Sequence, residues 1–308
     1  MLIRSTRVLR LVSCAYALQA ITQRSYSYDG WKCSYRYLDG AKDRKPLLLI
    51  HPVGIGLSSW FYEPLMEALH EEYGGEVFAP DLIGCGASEA WDPGKRGLFI
   101  PLDYARQCEE LWRLEIGRPC VVVVQGGLAP VGVSLAARRN DLWDGPRAVE
   151  NLVLASPPSW DVLAGGSSKD AVARNYDLWS GPLGKAGYKI LRRRSFVRFF
   201  SNLFLFANKA DERWIESCCD EAKQIEKQWP VFAFNAGIVN ARGLYDDLVE
   251  LKQRTLILEG IRDSRKSSRD AYLDFLQKCK RHVVDDALNV LPWEAPNETA
   301  RLLAALCT

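Results

Sequence analysis

Short, unbroken apolar runs set the strongest limit on what this chain can fold into. Leu47-Leu48-Leu49-Ile50 and Cys120-Val121-Val122-Val123-Val124 contain no charged or hydrophilic residue. Runs of that length without alternation read as strands covered on both faces, the pattern of a parallel sheet. Further strands are expected at Gly75–Pro80, Leu152–Ala155 and Thr255–Leu258. A half-buried opening strand precedes them, with Trp31, Cys33, Tyr35 and Tyr37 alternating with other residues. Helical periodicity fills the intervals at 59–70, 102–116, 128–139, 268–280 and 296–306. Strands alternating with helices predict an α/β chain built on a doubly wound, mostly parallel sheet.

Between about 160 and 250 the alternation stops, and helix formers and aromatics take over. This stretch is read as a helical cap over the carboxyl edge of the sheet. The expected organisation is a core at 29–160 and 251–308 with the cap at 161–250. A chain of 308 residues is consistent with one such domain carrying an insertion. Basic and acidic residues nearly cancel, 40 against 38, which argues against nucleic acid as a partner. The nine cysteines are irregularly spaced and form no CxxC pair. Free thiols are expected, and neither a metal nor a cofactor is implied.

Residues 1–28 differ from the rest. They contain Arg4, Arg7, Arg10 and Arg24 with several serines, and the first acid is Asp29. Arginine-rich, acid-free composition is that of an organelle transit peptide. An organelle is the expected location, the chloroplast ahead of the mitochondrion. Secretion, which Leu11–Ala20 as a short apolar core and the sequon Asn297-Glu298-Thr299 would suit, and a plain cytosolic terminus stay open as alternatives.

Five motifs stand in order along the chain: His51-Pro52-Val53-Gly54 after the first core strand, Asp81-x-x-Gly84-x-Gly86-x-Ser88 after the next, Val122–Leu128 at a strand-to-helix turn, then Glu259-Gly260-Ile261-Arg262-Asp263 and Leu291–Pro296. Their order resembles that of the α/β-hydrolase fold. The stretches HPVGIGLS, DLIGCG, VVQGGLAPV and NVLPWE are also similar to a set of plant and cyanobacterial hydrolase-like proteins. The resemblance implies a hydrolase core for residues 31–308 and says little about chemistry.

The reaction implied by that fold needs a serine on a strained elbow, a histidine base and an orienting carboxylate. In the matching stretch the nucleophile position holds Gly126, which has no atom to attack with. Counting back from Glu294 and Pro296 places Asn289 at the histidine position, and an amide is no base near neutral pH. Asp263 matches the acid position, with nothing to orient. Its plainer role is a loop carboxylate capping nearby N–H groups. Ser134 lies too deep along the next helix, and Cys85 and Cys120 read as bystander thiols. His282 reads as a surface or strand-packing residue, with a displaced base as the alternative. The resemblance assigns backbone oxyanion donors to Val53 and Gly127, which need no side chain. Three readings remain. The leading one is a protein with a degenerate triad that binds a small apolar or carboxylate ligand under the cap. The second is an enzyme using Asp263 or His282 with a bound water. The third is an interaction or membrane-peripheral protein.

The third reading rests on residues 189–200, where Arg192, Arg193, Arg194 and Arg198 mix with aliphatic and aromatic residues. A basic amphipathic helix can lie on an anionic membrane. The plainer alternative packs the aromatics onto the sheet and leaves the arginines in water.

Overall fold

The computed structural model describes residues 21–137, 148–263 and 266–307. One eight-stranded sheet organises them. Its strands are β1 (Ile21–Tyr28), β2 (Trp31–Leu38), β3 (Leu47–Ile50), β4 (Val77–Asp81), β5 (Cys120–Gln125), β6 (Val149–Ala155), β7 (Arg254–Gly260) and β8 (Cys279–Val284). Their spatial order is β1-β2-β4-β3-β5-β6-β7-β8. The β1–β2 and β2–β4 pairs are antiparallel, and every later pair is parallel.

The apolar runs are uninterrupted because both of their faces are covered. Leu47, Leu49, Val121 and Val123 pack on one side with Leu65, Met66 and Leu69 of α1 (Glu63–Glu72). Leu48, Ile50, Val122 and Val124 pack on the other with Tyr104, Ala105 and Cys108 of α2 (Leu102–Leu111) and with Val131 and Val133 of α3 (Ala129–Ala137). Each such aliphatic side chain contributes about 1.5–3 kcal/mol by leaving water. The mostly parallel, doubly wound sheet is the architecture that the alternation predicts.

Seven helices follow β6: α4 (Trp160–Gly165), α5 (Lys169–Ser180), α6 (Pro182–Leu191), α7 (Arg194–Phe200), α8 (Glu212–Glu221), α9 (Trp229–Asn235) and α10 (Tyr245–Val249). After β7 come α11 (Ala271–Phe275), β8, α12 (Leu291–Glu294) and α13 (Pro296–Cys307). The α4–α10 segment meets the loops at the carboxyl ends of the strands. Lys227 Nζ donates to the carbonyl of Gly86 after β4. The Asn289 N–H, after β8, donates to the Leu205 carbonyl at 3.1 Å.

Two expectations are corrected. Residues 21–28, assigned to the leader on composition, are β1, paired along its whole length from Ile21–Leu38 to Tyr28–Trp31. As the edge strand it is only half-covered: Ile21, Tyr26 and Tyr28 are half-buried, while Thr22 to Ser25 and Ser27 are exposed. The rest of that stretch, residues 1–20, lies outside the described residues. The helix expected at 268–280 ends at Phe275. Leu276 turns extended, and Cys279 already belongs to β8.

Candidate functional site

The carboxyl edge gathers the loops that the sequence singles out. His51 ends β3 and is fully buried. Leu82 N–H donates to its Nε2 at 3.1 Å, so the ring proton sits on Nδ1, which donates to the Pro52 carbonyl at 2.9 Å. Burial pushes the imidazole pKa down. Both ring nitrogens are thus bonded to backbone, and this histidine ties the loop after β3 to the loop after β4.

The Asp81 motif is structural for the same reason. Its buried carboxylate accepts from Ser59 N–H and Ala87 N–H, each at 2.9 Å. Ser88 Oγ donates to the Asp81 carbonyl at 2.6 Å and accepts from Ser34 N–H at 2.9 Å. Gly86 has φ +55, and a Cβ there would strike the Asp81 carboxylate at 2.2 Å. The glycine lets the loop fold down over the acid.

The elbow is at Gly126. Gln125 is still extended, Gly126 has φ +62, and the chain then enters a 3-10 turn and α3. The sequence predicts the turn here, with Gly126 at its apex. A Cβ on Gly126 would meet no heavy atom within 4 Å. Its neighbour is the opposite: a Cβ on Gly127 would come within 2.5 Å of the Phe234 ring of α9. Space therefore opens above Gly126, and an aromatic ring of the α4–α10 segment closes over Gly127. Val53, the other mapped donor, lies in the loop after β3 with its side chain buried in the core.

Asn289 is brought to the elbow by backbone. Gln125 Nε2 donates to the Asn289 carbonyl at 2.8 Å. Gln125 Oε1 is buried without a hydrogen-bond partner among the described residues. The buried-side carboxylate of Glu294 fixes the same loop, accepting from Leu288 N–H at 2.9 Å and from Ala207 N–H at 2.5 Å. Burial pushes the Glu294 pKa up, and the backbone donors work against that shift.

Asp263 lies in the loop after β7. It is 2% exposed, and Oδ2 accepts from Arg269 Nη2 at 2.8 Å. Arg269 is itself buried. It also donates to Glu259 at 3.2 Å and, through Nε, to the Pro157 carbonyl at 2.6 Å. Burial raises the Glu259 pKa, against the pull of the Arg269 and Arg281 guanidiniums. The acid position is thus one arm of a buried Glu259–Arg269–Asp263 ion cluster. Arg269 escapes sequence reasoning because a lone arginine after a loop carries no local signal.

His282 does not join this site. It lies on edge strand β8, and its Nε2 pairs with Glu298 of α13 at 3.1 Å. His70 is exposed near the end of α1. Ser156, another residue that the sequence does not flag, follows β6 beside the elbow, since Gln125 pairs with Ala155. Its φ is +47 and its buried hydroxyl has no partner among the described residues. Backbone strain of this kind costs about 1–3 kcal/mol and concentrates at functional sites. Among the described residues no imidazole is placed to activate that hydroxyl. Nor does any group of three or more His, Cys, Asp and Glu stand ready to hold a metal ion.

A family model described as the alpha/beta hydrolase family matches residues 47–302. Proline iminopeptidase of Lactobacillus delbrueckii subsp. bulgaricus is 28% identical over 94 residues, 30% of this chain and 31% of that protein. The match thus spans about a third of the curated relative's length. A membrane phospholipase A, described as a bacterial virulence factor, superposes with a TM-score of 0.70 at 19% identity, covering 97% of this chain and 89% of its own. The haloalkane dehalogenase DbeA from Bradyrhizobium elkani gives 0.69 at 21% identity, covering 93% and 97%. These two likenesses concern the fold alone.

Proposed function

The chain belongs to the alpha/beta hydrolase family, and from that premise we propose that it is a member with a degenerate triad, binding a small apolar or carboxylate ligand above Gly126 without serine-hydrolase turnover. The observation that carries this reading is the elbow: a strand-to-helix apex at φ +62, with open space where a nucleophile's side chain would stand, occupied by glycine. A nucleophile and its base act as a unit, so loss of either costs several orders of magnitude in rate. Here Gly126 supplies no oxygen and Asn289 supplies no base.

What remains suits binding. The Phe234 ring offers an apolar wall beside the space. In this reading the backbone N–H groups of Gly127 and Val53 receive the ligand's carboxylate or carbonyl oxygen, as they would an oxyanion. The buried Glu259–Arg269–Asp263 cluster holds the loop after β7 in place and takes no part in proton transfer. The rival reading, an enzyme with displaced groups, has to free Asp263 from Arg269 or His282 from Glu298.

Octanoate, a carboxylate with an apolar tail, tests the proposal in calorimetric titration, alongside labelling by a serine-reactive fluorophosphonate. Octanoate is expected to bind the unaltered protein and to lose at least tenfold in affinity in Gly126→Leu, which fills the space. No fluorophosphonate labelling is expected. Labelling abolished by changing one particular serine, Ser156 above all, overturns the reading in favour of the displaced enzyme.

A further inference from the structure

Helix α7 and the π-type turn that continues it, Ser201–Leu205, present apolar residues to solvent. The buried side of this rod is Val197 and Ser201, with Trp214 Nε1 of α8 donating to Ser201 Oγ at 2.9 Å. Arg194 and Arg198 lie on that side too, both paired with Glu212 of α8, with Glu216 at 3.7 Å from Arg194. Arg192 donates to the Ala222 carbonyl at 2.9 Å. The opposite side is Phe196, Phe199, Phe200, Leu203 and Phe204, at helical i, i+3, i+4, i+7 and i+8 spacing. Phe199, Phe200, Leu203 and Phe204 are 41–59% exposed, and the rings contact mainly one another, Phe200 to Phe204 at 5.0 Å. The aromatics therefore face outward, not onto the sheet, and of the four arginines only Arg193 stays unpaired among the described residues.

The sequence that carries this face is cationic. From Asp177 to Asp211 the sequence contains no acid, while Lys185, Lys189 and Arg193 are exposed on and just after α6. Glu212 and Glu216, the nearest acids on α8, are the ones held by Arg194 and Arg198. An exposed phenylalanine stripe, with the exposed cations Lys189 and Arg193 just before it in the chain, marks an interaction surface. It complements an anionic lipid leaflet, into whose interface the rings would insert while the cations meet headgroup phosphates.

We propose that the Phe196–Phe204 face of α7, with Lys189 and Arg193, docks this protein peripherally on anionic membranes. No helix among the described residues is long and apolar enough to cross a membrane, and none is required. The contact is independent of the elbow, so it stands whether or not Gly126 binds a ligand.

Co-sedimentation of the full chain with vesicles tests it, using phosphatidylcholine alone and phosphatidylcholine mixed with phosphatidylglycerol. Binding to the mixed vesicles is expected to exceed binding to the neutral ones by at least tenfold and to fall as salt rises. Each surface cation is worth about fivefold in partitioning, so Lys189→Ala with Arg193→Ala should lose on the order of twentyfold. Phe199→Ser with Phe204→Ser should abolish binding; both residues are exposed, so the urea midpoint should not fall. Equal binding to the two vesicle types, or none to either, overturns the proposal. So does a concentration-dependent dimer in analytical ultracentrifugation that the phenylalanine variant abolishes, since the face would then belong to a second copy of the chain.

Discussion

At the scale of single residues, His51 shows how a suggestive motif residue can be wholly occupied by structure. Its Nε2 accepts from Leu82 N–H and its Nδ1 donates to Pro52, with no nitrogen left for a substrate. The consequence is a pH dependence with a definite sign. Burial holds the folded-state pKa below the ordinary histidine value of about 6.5, so below that pH the unfolded chain takes up a proton that the folded one refuses. The stabilisation is fully present above about pH 6.5 and is lost as pH falls toward the folded-state pKa. Urea midpoints between about pH 7.5 and about pH 5.5 should therefore drop. In His51→Ala that drop should shrink, on top of a loss of about 1–3 kcal/mol at neutral pH from the unpaired Leu82 N–H. An unchanged pH slope in the variant would place the titration elsewhere.

At the scale of elements, the question is what seats α8 on the core. Trp214 of α8 completes a triangle of edge-on indoles with Trp60 and Trp293, its ring centroid 5.4 and 5.2 Å from theirs and theirs 5.4 Å apart. Phe206 adds an edge-on contact at 5.0 Å. The indole N–H of Trp293 donates to Asp211 Oδ2 at 3.0 Å, and Asp211 also caps α8 by accepting from Trp214 N–H at 2.7 Å. Trp214→Ala should cost about 3–5 kcal/mol. It should also loosen the α8 seat before the sheet, seen as faster amide exchange in α8 than in β3 and β5. Uniform exchange across both would mean that the α8 region and the sheet unfold as one unit. Element by element, the sequence is readable where burial is two-sided. Leu47–Ile50 and the β5 valines announce themselves because each faces protein on both sides. Edge strand β8, with Lys280, Arg281 and His282 partly exposed, shows no such run, and its Cys279 continues a helical pattern from Tyr272 and Leu276. The same holds for the site. A strand running into Gln125-Gly126-Gly127 gives away the elbow, because a tight turn needs local glycine. The capture of Asp263 by Arg269 and the Phe234 ring over Gly127 depend on tertiary placement, which leaves no local trace.

At the scale of the whole molecule, the role of β1 decides where the folded unit begins. Eight residues, Ile21–Tyr28, pair with all of β2. The Arg24 guanidinium lies 3.7 Å over the Tyr37 ring, and the Tyr26 hydroxyl donates to the Gln107 carbonyl at 3.3 Å. Burial pushes the Tyr26 phenol well above its ordinary range. Gln23 reaches the Asp81 carboxylate at 3.3 Å, so β1 also touches the motif that folds the loop after β4. A chain starting at Ile21 keeps all of these contacts. One starting at Asp29 strips them and leaves β2 as the edge, a long strand bearing Trp31, Cys33, Tyr35 and Tyr37. Its unpaired N–H and C=O groups then become a template for another chain. The first truncation is expected to match the full chain in thermal midpoint and to stay monodisperse. The second should lose several degrees, since about 1 kcal/mol shifts a chain of this size by roughly 2–4 °C. It should also aggregate on size-exclusion chromatography. Equal midpoints and elution for the two truncations would show that β1 is an appendage to a sheet complete without it, and the folded unit would then begin at Trp31.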